Sequence, residues 1–188
     1  MRNLIVFNHL SIDGYFTGGN GDISWAHTGS DDPEFQEFVA GNASGEGQLL
    51  FGRVTYDLMA GYWPTPLADQ QNPVVAKAMN NMQKVVFSRT MEKPLWKNTK
   101  LIKTDIVSEI RKMKNESGPG MVIMGSGTIV SQLAQERVID EYQLLINPVA
   151  IGKGRTLFDG MNKILSLNLM STRTFKNGKV FLRFEPAK

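Results

Sequence analysis

Met121-Val122-Ile123-Met124-Gly125-Ser126-Gly127-Thr128 passes from four apolar side chains into two glycines separated by a serine, and a helix-forming stretch follows. A short, continuously apolar run is the pattern of a strand covered on both faces, as in parallel sheets. Glycine lets the backbone turn sharply or approach a ligand closely, and a helix start presents unpaired N–H groups to an anion. The stretch opens like a dinucleotide fingerprint, but Val130 stands where G-x-G-x-x-G has its third glycine. The next strand ends in Asn147-Pro148, where a Rossmann site would carry an acidic ribose ligand. It therefore reads as a phosphate-suited helix terminus in an α/β sheet of another order.

The same event occurs twice more upstream. Leu49-Leu50-Phe51 runs into Gly52-Arg53-Val54-Thr55-Tyr56, adding a guanidinium and a hydroxyl to a glycine turn. Val85-Val86-Phe87 runs into Ser88-Arg89-Thr90, two hydroxyls around a permanently charged, forked donor. Singly, each is as well explained by a tight turn with a solvated arginine. Together they place three phosphate-suited groups at strand ends, where open α/β sheets bind ligands. An extended, multiply charged ligand such as a dinucleotide would use all three.

Further strand-like runs lie at Leu4–Phe7, Lys100–Ile102 and Tyr142–Ile146, and the first two turns follow Gln48–Phe51 and Lys84–Phe87. Asp32-Pro33-Glu34 offers an N-cap followed by proline at the first helical position. Ile106, Ile110 and Met113 mark one face of a helix starting near Asp105, and another helix runs from about Thr128 towards Val138. Near the carboxyl end, Leu165, Leu167 and Leu169 alternate with polar residues, as do Val180, Leu182 and Phe184. Asn177-Gly178 between them is a hairpin turn signal. The expectation is one α/β domain over 1–188, with a mixed sheet of about eight strands ending in an antiparallel hairpin. The proline-containing stretch Gly61–Asn72 reads as a loop at the rim.

Composition narrows the chemistry. The chain has 188 residues, and its 21 basic side chains exceed the 18 acidic ones by three without clustering. That makes nucleic acid a poor partner and suits a few cations aimed at a phosphate-bearing cofactor. With no cysteine and two histidines, thiolate catalysis, Cys-ligated metals and multi-histidine sites are excluded, and no metal is expected. No signal peptide pattern or membrane-length apolar run is present, so a cytoplasmic protein is expected.

The motifs also carry a resemblance. Gly52-Arg53-Val54-Thr55-Tyr56, Ser88-Arg89-Thr90 and Gly125-Ser126-Gly127-Thr128 resemble, in order and spacing, the cofactor-binding segments of dihydrofolate reductases. Ser11-Ile12-Asp13-Gly14-Tyr15-Phe16 resembles the Ser-Leu-Asp-Gly stretch of the riboflavin-biosynthesis reductase domain, the RibD carboxyl-terminal domain, and its stand-alone relatives. Asn147-Pro148 with Gly152-Lys153-Gly154-Arg155-Thr156-Leu157-Phe158 is similar to a late loop of that group. The resemblance implies a three-layer dihydrofolate reductase-like fold, NADPH as hydride donor, a flat pteridine- or pyrimidine-type substrate, and commonly a homodimer. It assigns Gly52, Arg53 and Thr55 to the pyrophosphate, and Ser88 and Arg89, with Thr90 beside them, to the adenosine ribose and its 2′-phosphate. Gly125 to Thr128 would pack against the pyrophosphate and nicotinamide ribose, and the glycine-rich loop from Asp13 to Trp25 would be a mobile flap.

Hydride transfer also needs a proton source, and here the chain departs from dihydrofolate reductase. Asp31-Asp32-Pro33-Glu34 offers no single acid that aligns with that enzyme's carboxylate. Asp13 is the leading acid or orienting group, with an Asx-type turn residue as the alternative; Asp32 is better suited to capping its helix. Trp25 is the expected substrate-stacking residue, Phe35 and Trp63 being further aromatics that otherwise read as packing. His9 reads as a satisfied core histidine, and His27 follows the flap. A reductase is expected; the alternative is a dinucleotide- or pterin-binding regulator without turnover.

Overall fold

The computed structural model describes residues 1–29, 31–43 and 47–187. Ten strands are present among the described residues: β1 (Leu4–Ser11), β2 (Tyr15–Gly18), β3 (Gly47–Gly52), β4 (Gln83–Phe87), β5 (Thr99–Ile102), β6 (Gly120–Met124), β7 (Glu141–Asn147), β8 (Gly154–Thr156), β9 (Leu167–Thr174) and β10 (Val180–Pro186). The helices are α1 (Pro33–Ala43), α2 (Arg53–Tyr62), α3 (Pro66–Gln71), α4 (Pro73–Asn81), α5 (Ile106–Asn115) and α6 (Gly127–Gln135), with one 3₁₀ turn at Ser24–His27.

Eight strands form the central sheet in the order β5-β4-β3-β6-β1-β7-β10-β9. The first six run parallel, and β10 pairs antiparallel with both β7 and β9. The mixed eight-stranded sheet and its closing hairpin are those expected. At the hairpin Gly178 takes φ +83°, and the Lys179 N–H donates to Asn177 Oδ1 at 3.1 Å.

One face is covered by α5 and α6. A single apolar cluster runs across it, joining Leu4, Val6, Leu50, Val85 and Ile123 to Ile110, Val130 and Leu133. The opposite face has two separate clusters. Leu49, Phe51 and Val86 pack with Tyr56 of α2 and Met79 of α4, whereas Leu145 and Phe181 pack with Phe35 of α1 and with Phe175. The seam between those two clusters is where the fold leaves sheet uncovered.

Two features differ from expectation. Residues 61–72 are not simply a loop, because α3 lies within them. Thr65 caps it by accepting the Ala68 N–H at 3.3 Å, and Pro66 supplies the preset φ of a first helical residue. The last helix ends at Gln135, short of Val138. Arg137 takes the left-handed conformation (φ 52°), and the Arg137 and Val138 N–H groups bond back to Ala134 O and Leu133 O, closing a Schellman motif without glycine. No helix among the described residues is long and apolar enough to cross a membrane.

Candidate active site

Gly52 ends β3, and Ser88 and Gly125 follow β4 and β6; the three strands are adjacent and parallel, so all three turns emerge on one edge. Neighbouring strands lie about 4.8 Å apart, placing the turns side by side. The first and third are locked together. Ser126 Oγ accepts the Gly52 N–H at 2.7 Å and donates to Thr55 Oγ1 at 3.0 Å, while the Ser126 N–H donates to the same Thr55 oxygen at 3.1 Å. Ser126 is left-handed (φ 60°, ψ 59°), a strained conformation for serine that these bonds hold.

This contact is close on both sides, and at Gly125 it requires glycine. A Cβ on Gly52 would meet Ser126 Oγ at 3.2 Å, and one on Gly125, where φ is +61°, would meet Thr55 Cγ2 at 2.8 Å. The result is a bare backbone cradle in which Gly127 and Thr128 open α6 with their N–H groups at its first turn. Arg53 lies exposed at the start of α2, held to Asp57 by an ion pair of 3.1 Å. The second turn is an ST motif. Ser88 Oγ accepts the Met91 N–H at 3.0 Å and the Thr90 N–H at 3.3 Å, leaving Arg89 and Thr90 exposed.

Above the cradle, β2 and β8 form a two-stranded sheet of their own. It brings Phe16 onto the α6 start, where a Cβ on Gly127 would lie 2.7 Å from the ring. Arg155 of β8 stretches towards Thr128 Oγ1, 3.5 Å away, putting an exposed cation beside the cradle. The sequence reading assigned no role to Arg155; its place behind two loop glycines was the available signal. Asp13 ties this assembly down. Its carboxylate accepts the Gly152 N–H at 2.8 Å and the Ile151 N–H at 3.1 Å. The Ser11 hydroxyl, then the Gly152 N–H, hold its carboxyl below the ordinary range. These bonds tether the Ile151-Gly152 stretch to the turn after β1.

Trp25 is 8% exposed and its indole N–H is spent on Asp22 O at 3.2 Å, so it offers a ligand little of its ring. Phe35 is a core residue, edge-on to Phe175 at 5.2 Å, and stacking through it is excluded by packing. Trp63 packs edge-on against Tyr62 at the end of α2. Asp32 caps α1 through the Glu34 N–H at 3.0 Å, and its other oxygen accepts the Asn177 N–H at 3.1 Å.

The seam in the second face is the remaining opening. Phe7 and His9 of β1 and Val122 and Met124 of β6 are half-buried, whereas their alternates Val6, Met121 and Ile123 are fully buried against α5 and α6. Phe7 pairs with Met124 in register, so these side chains share one strip that climbs to the strand ends. This partly exposed strip, called the furrow below, ends at the strand ends that carry the turns. His9 lies in it and is not the satisfied core histidine expected, since its Nδ1 is buried without a partner. A separate hollow of about 220 Å³, lined by Phe158, Met161, Lys163, Leu165 and Leu167, lies towards the amino ends of the strands, away from these groups.

The chain matches the RibD C-terminal domain family over residues 2–181. It is 28% identical over 181 residues to the uncharacterized protein YyaP of Bacillus subtilis (strain 168), covering 95% of this chain and 92% of YyaP. A Shewanella protein assigned to riboflavin biosynthesis superposes with a TM-score of 0.72 at 22% identity, covering 99% of both chains. Dihydrofolate reductase from Enterococcus faecalis, solved with NADP(H), gives 0.66 at 14% identity over 99% of this chain and 97% of that one. Structures this distant establish the three-layer dihydrofolate reductase-like fold, and the match along nearly the whole sequence establishes more: the chain belongs to the RibD C-terminal domain family.

Proposed function

We propose that the protein is an NADPH-dependent reductase acting on a flat nitrogen heterocycle of pteridine or pyrimidine type. The observation that supports it most is the cradle, in which two phosphate-suited turns are bonded into one and the third lies beside them on the same edge. The glycines at 52, 125 and 127 let the turns, Thr55 and Phe16 pack closely around the α6 start, and the α6 dipole favours the charge of a pyrophosphate. In this reading Gly52, Arg53, Thr55 and the Gly125–Thr128 turn hold the pyrophosphate. Ser88, Arg89 and Thr90 receive the adenosine ribose and its 2′-phosphate. NADPH supplies the hydride when bound. The chain's part is to orient it along the edge, to exclude water by the flap that Asp13 anchors, and to seat the acceptor ring in the furrow near Trp25. The protein assembles as a homodimer through the edge strand β9, where Leu169 and Met170 are more than half exposed.

Arg89→Ala tests the cofactor site. Losing a charge-assisted contact to phosphate should weaken NADPH about tenfold or more in a fluorescence titration while leaving NADH unchanged. Arg53→Ala should have a smaller effect, because Asp57 already engages that guanidinium. Unchanged NADPH affinity in both variants would remove the site. A binding protein without turnover is the second reading, favoured by the depressed carboxyl of Asp13; NADPH binding with no reduction across a panel of heterocycles would select it.

A further inference from the structure

Resting on the cradle as the NADPH site, we infer that Arg155 is a further residue of that site: its guanidinium, carried on the β2–β8 ribbon, binds the pyrophosphate at the end of the row remote from Arg89. Close backbone packing places it there. Thr156 O would lie 3.3 Å from a Cβ on Gly127, so the β8 main chain rests on the first residue of α6. A Cβ on Gly154 would lie 2.2 Å from Thr17 O and 3.2 Å from Tyr15 Cβ, so β8 sits against β2 at a distance only glycine permits. Arg155 pairs in register with Thr17, and its side chain reaches Thr128, the second residue of α6, whose Oγ1 it meets at 3.5 Å.

That contact is long for a hydrogen bond, and it is the only one the Arg155 side chain makes among the described residues. A guanidinium offers five donors and a permanent charge, and no ion pair among the described residues engages this one. Arg53, the other arginine beside the locked turns, is already paired with Asp57 at 3.1 Å and must share its charge. An exposed arginine is ordinarily just solvated. This one differs because the packing at Gly127 and Gly154 holds its strand against the turn, so its uncommitted donors stand beside the first-turn N–H groups of α6.

The strand order tells the ligand's phosphates apart. β3 separates β4 from β6, so the turn that carries Arg89 and the α6 start that Arg155 meets are two strand spacings, about 10 Å, apart. On that spacing the two guanidinium groups serve different phosphates. Arg89 addresses the 2′-phosphate, which only NADPH carries, and Arg155 the pyrophosphate, which NADPH and NADH share. Arg155 therefore sets affinity for either nucleotide, whereas Arg89 sets the choice between them.

Fluorescence titrations of the full chain with NADPH and with NADH separate the two roles. Arg155→Ala should weaken both nucleotides alike, about tenfold or more, and by more than Arg53→Ala does. Arg155→Lys, which keeps the charge without the fork, should recover part of the loss, and the salt dependence of NADPH binding should flatten in Arg155→Ala. The side chain is exposed, so both variants should melt close to the wild type. Unchanged NADPH affinity in Arg155→Ala, or a loss confined to NADPH, overturns the inference and leaves the cofactor assignment standing. A wild type that binds neither nucleotide removes the proposed function, and this role of Arg155 with it.

Discussion

Gly125→Ala should lower stability by about 3 kcal/mol and weaken NADPH at least about tenfold. Two penalties coincide at this residue. Its φ of +61° is left-handed, which costs a non-glycine residue about 1–2 kcal/mol. The new methyl would also lie 2.8 Å from Thr55 Cγ2 and 2.9 Å from Thr55 Oγ1, and forcing an extra carbon into packed structure costs about 1–3 kcal/mol. Thr55 cannot move away unaided, because its oxygen accepts both the Ser126 N–H and the Ser126 hydroxyl. Relief of the clash therefore breaks the lock between the two turns, and the cofactor cradle opens with it. In a chain of this length the loss corresponds to a fall of about 6–12 °C in Tm. Gly41→Ala in α1 is the matched control. Nothing lies within 4 Å of its Cβ position, so the substitution should be neutral or raise stability by up to about 1 kcal/mol. If Gly125→Ala melts like Gly41→Ala and binds NADPH normally, the close approach of the turns has no functional meaning.

The parts of this fold that could be read from sequence are those whose physics is local. β3, β4, β6 and β7 announced themselves as continuous apolar runs because both faces of the sheet carry apolar contacts along them. The hairpin at Asn177-Gly178 and the cap at Asp32 are short-range backbone chemistry, and both formed as expected. β2 and β8 escaped because four and three residues are too few for a periodic signal. Their pairing depends on Gly154, whose Cβ would lie 2.2 Å from Thr17 O, a contact between segments far apart in the chain. The site divides in the same way. Its three turns were visible, but the Thr55–Ser126 bond spans 71 positions and was not. Nor was the state of His9, whose buried Nδ1 finds no partner among segments far apart in the chain. α3 could have been found, since Thr65-Pro66 is the same cap-and-proline signature recognised at Asp32-Pro33.

Between about pH 6.5 and pH 5 the protein should lose roughly 2 kcal/mol of stability, and His9→Leu should abolish most of that loss. Burial, then the charges of Lys179 and His27, push the His9 imidazole down to about 3 from an ordinary value near 6.5. Between those values the unfolded chain binds a proton that the folded chain refuses. Stability therefore falls as pH falls through this window, by at most about 1.4 kcal/mol per pH unit for the one group, and is unaffected by it above the window. His27, shifted the same way by its surroundings and by Lys179, adds to the slope. The carboxylates do not confuse the measurement. Asp13, Asp22, Asp105 and Glu141 are all held below their ordinary range, so their contributions are lost only at more acidic pH. Urea midpoints taken at half-unit steps resolve the difference, and a variant slope equal to that of the wild type would show that His9 is not the group refusing the proton.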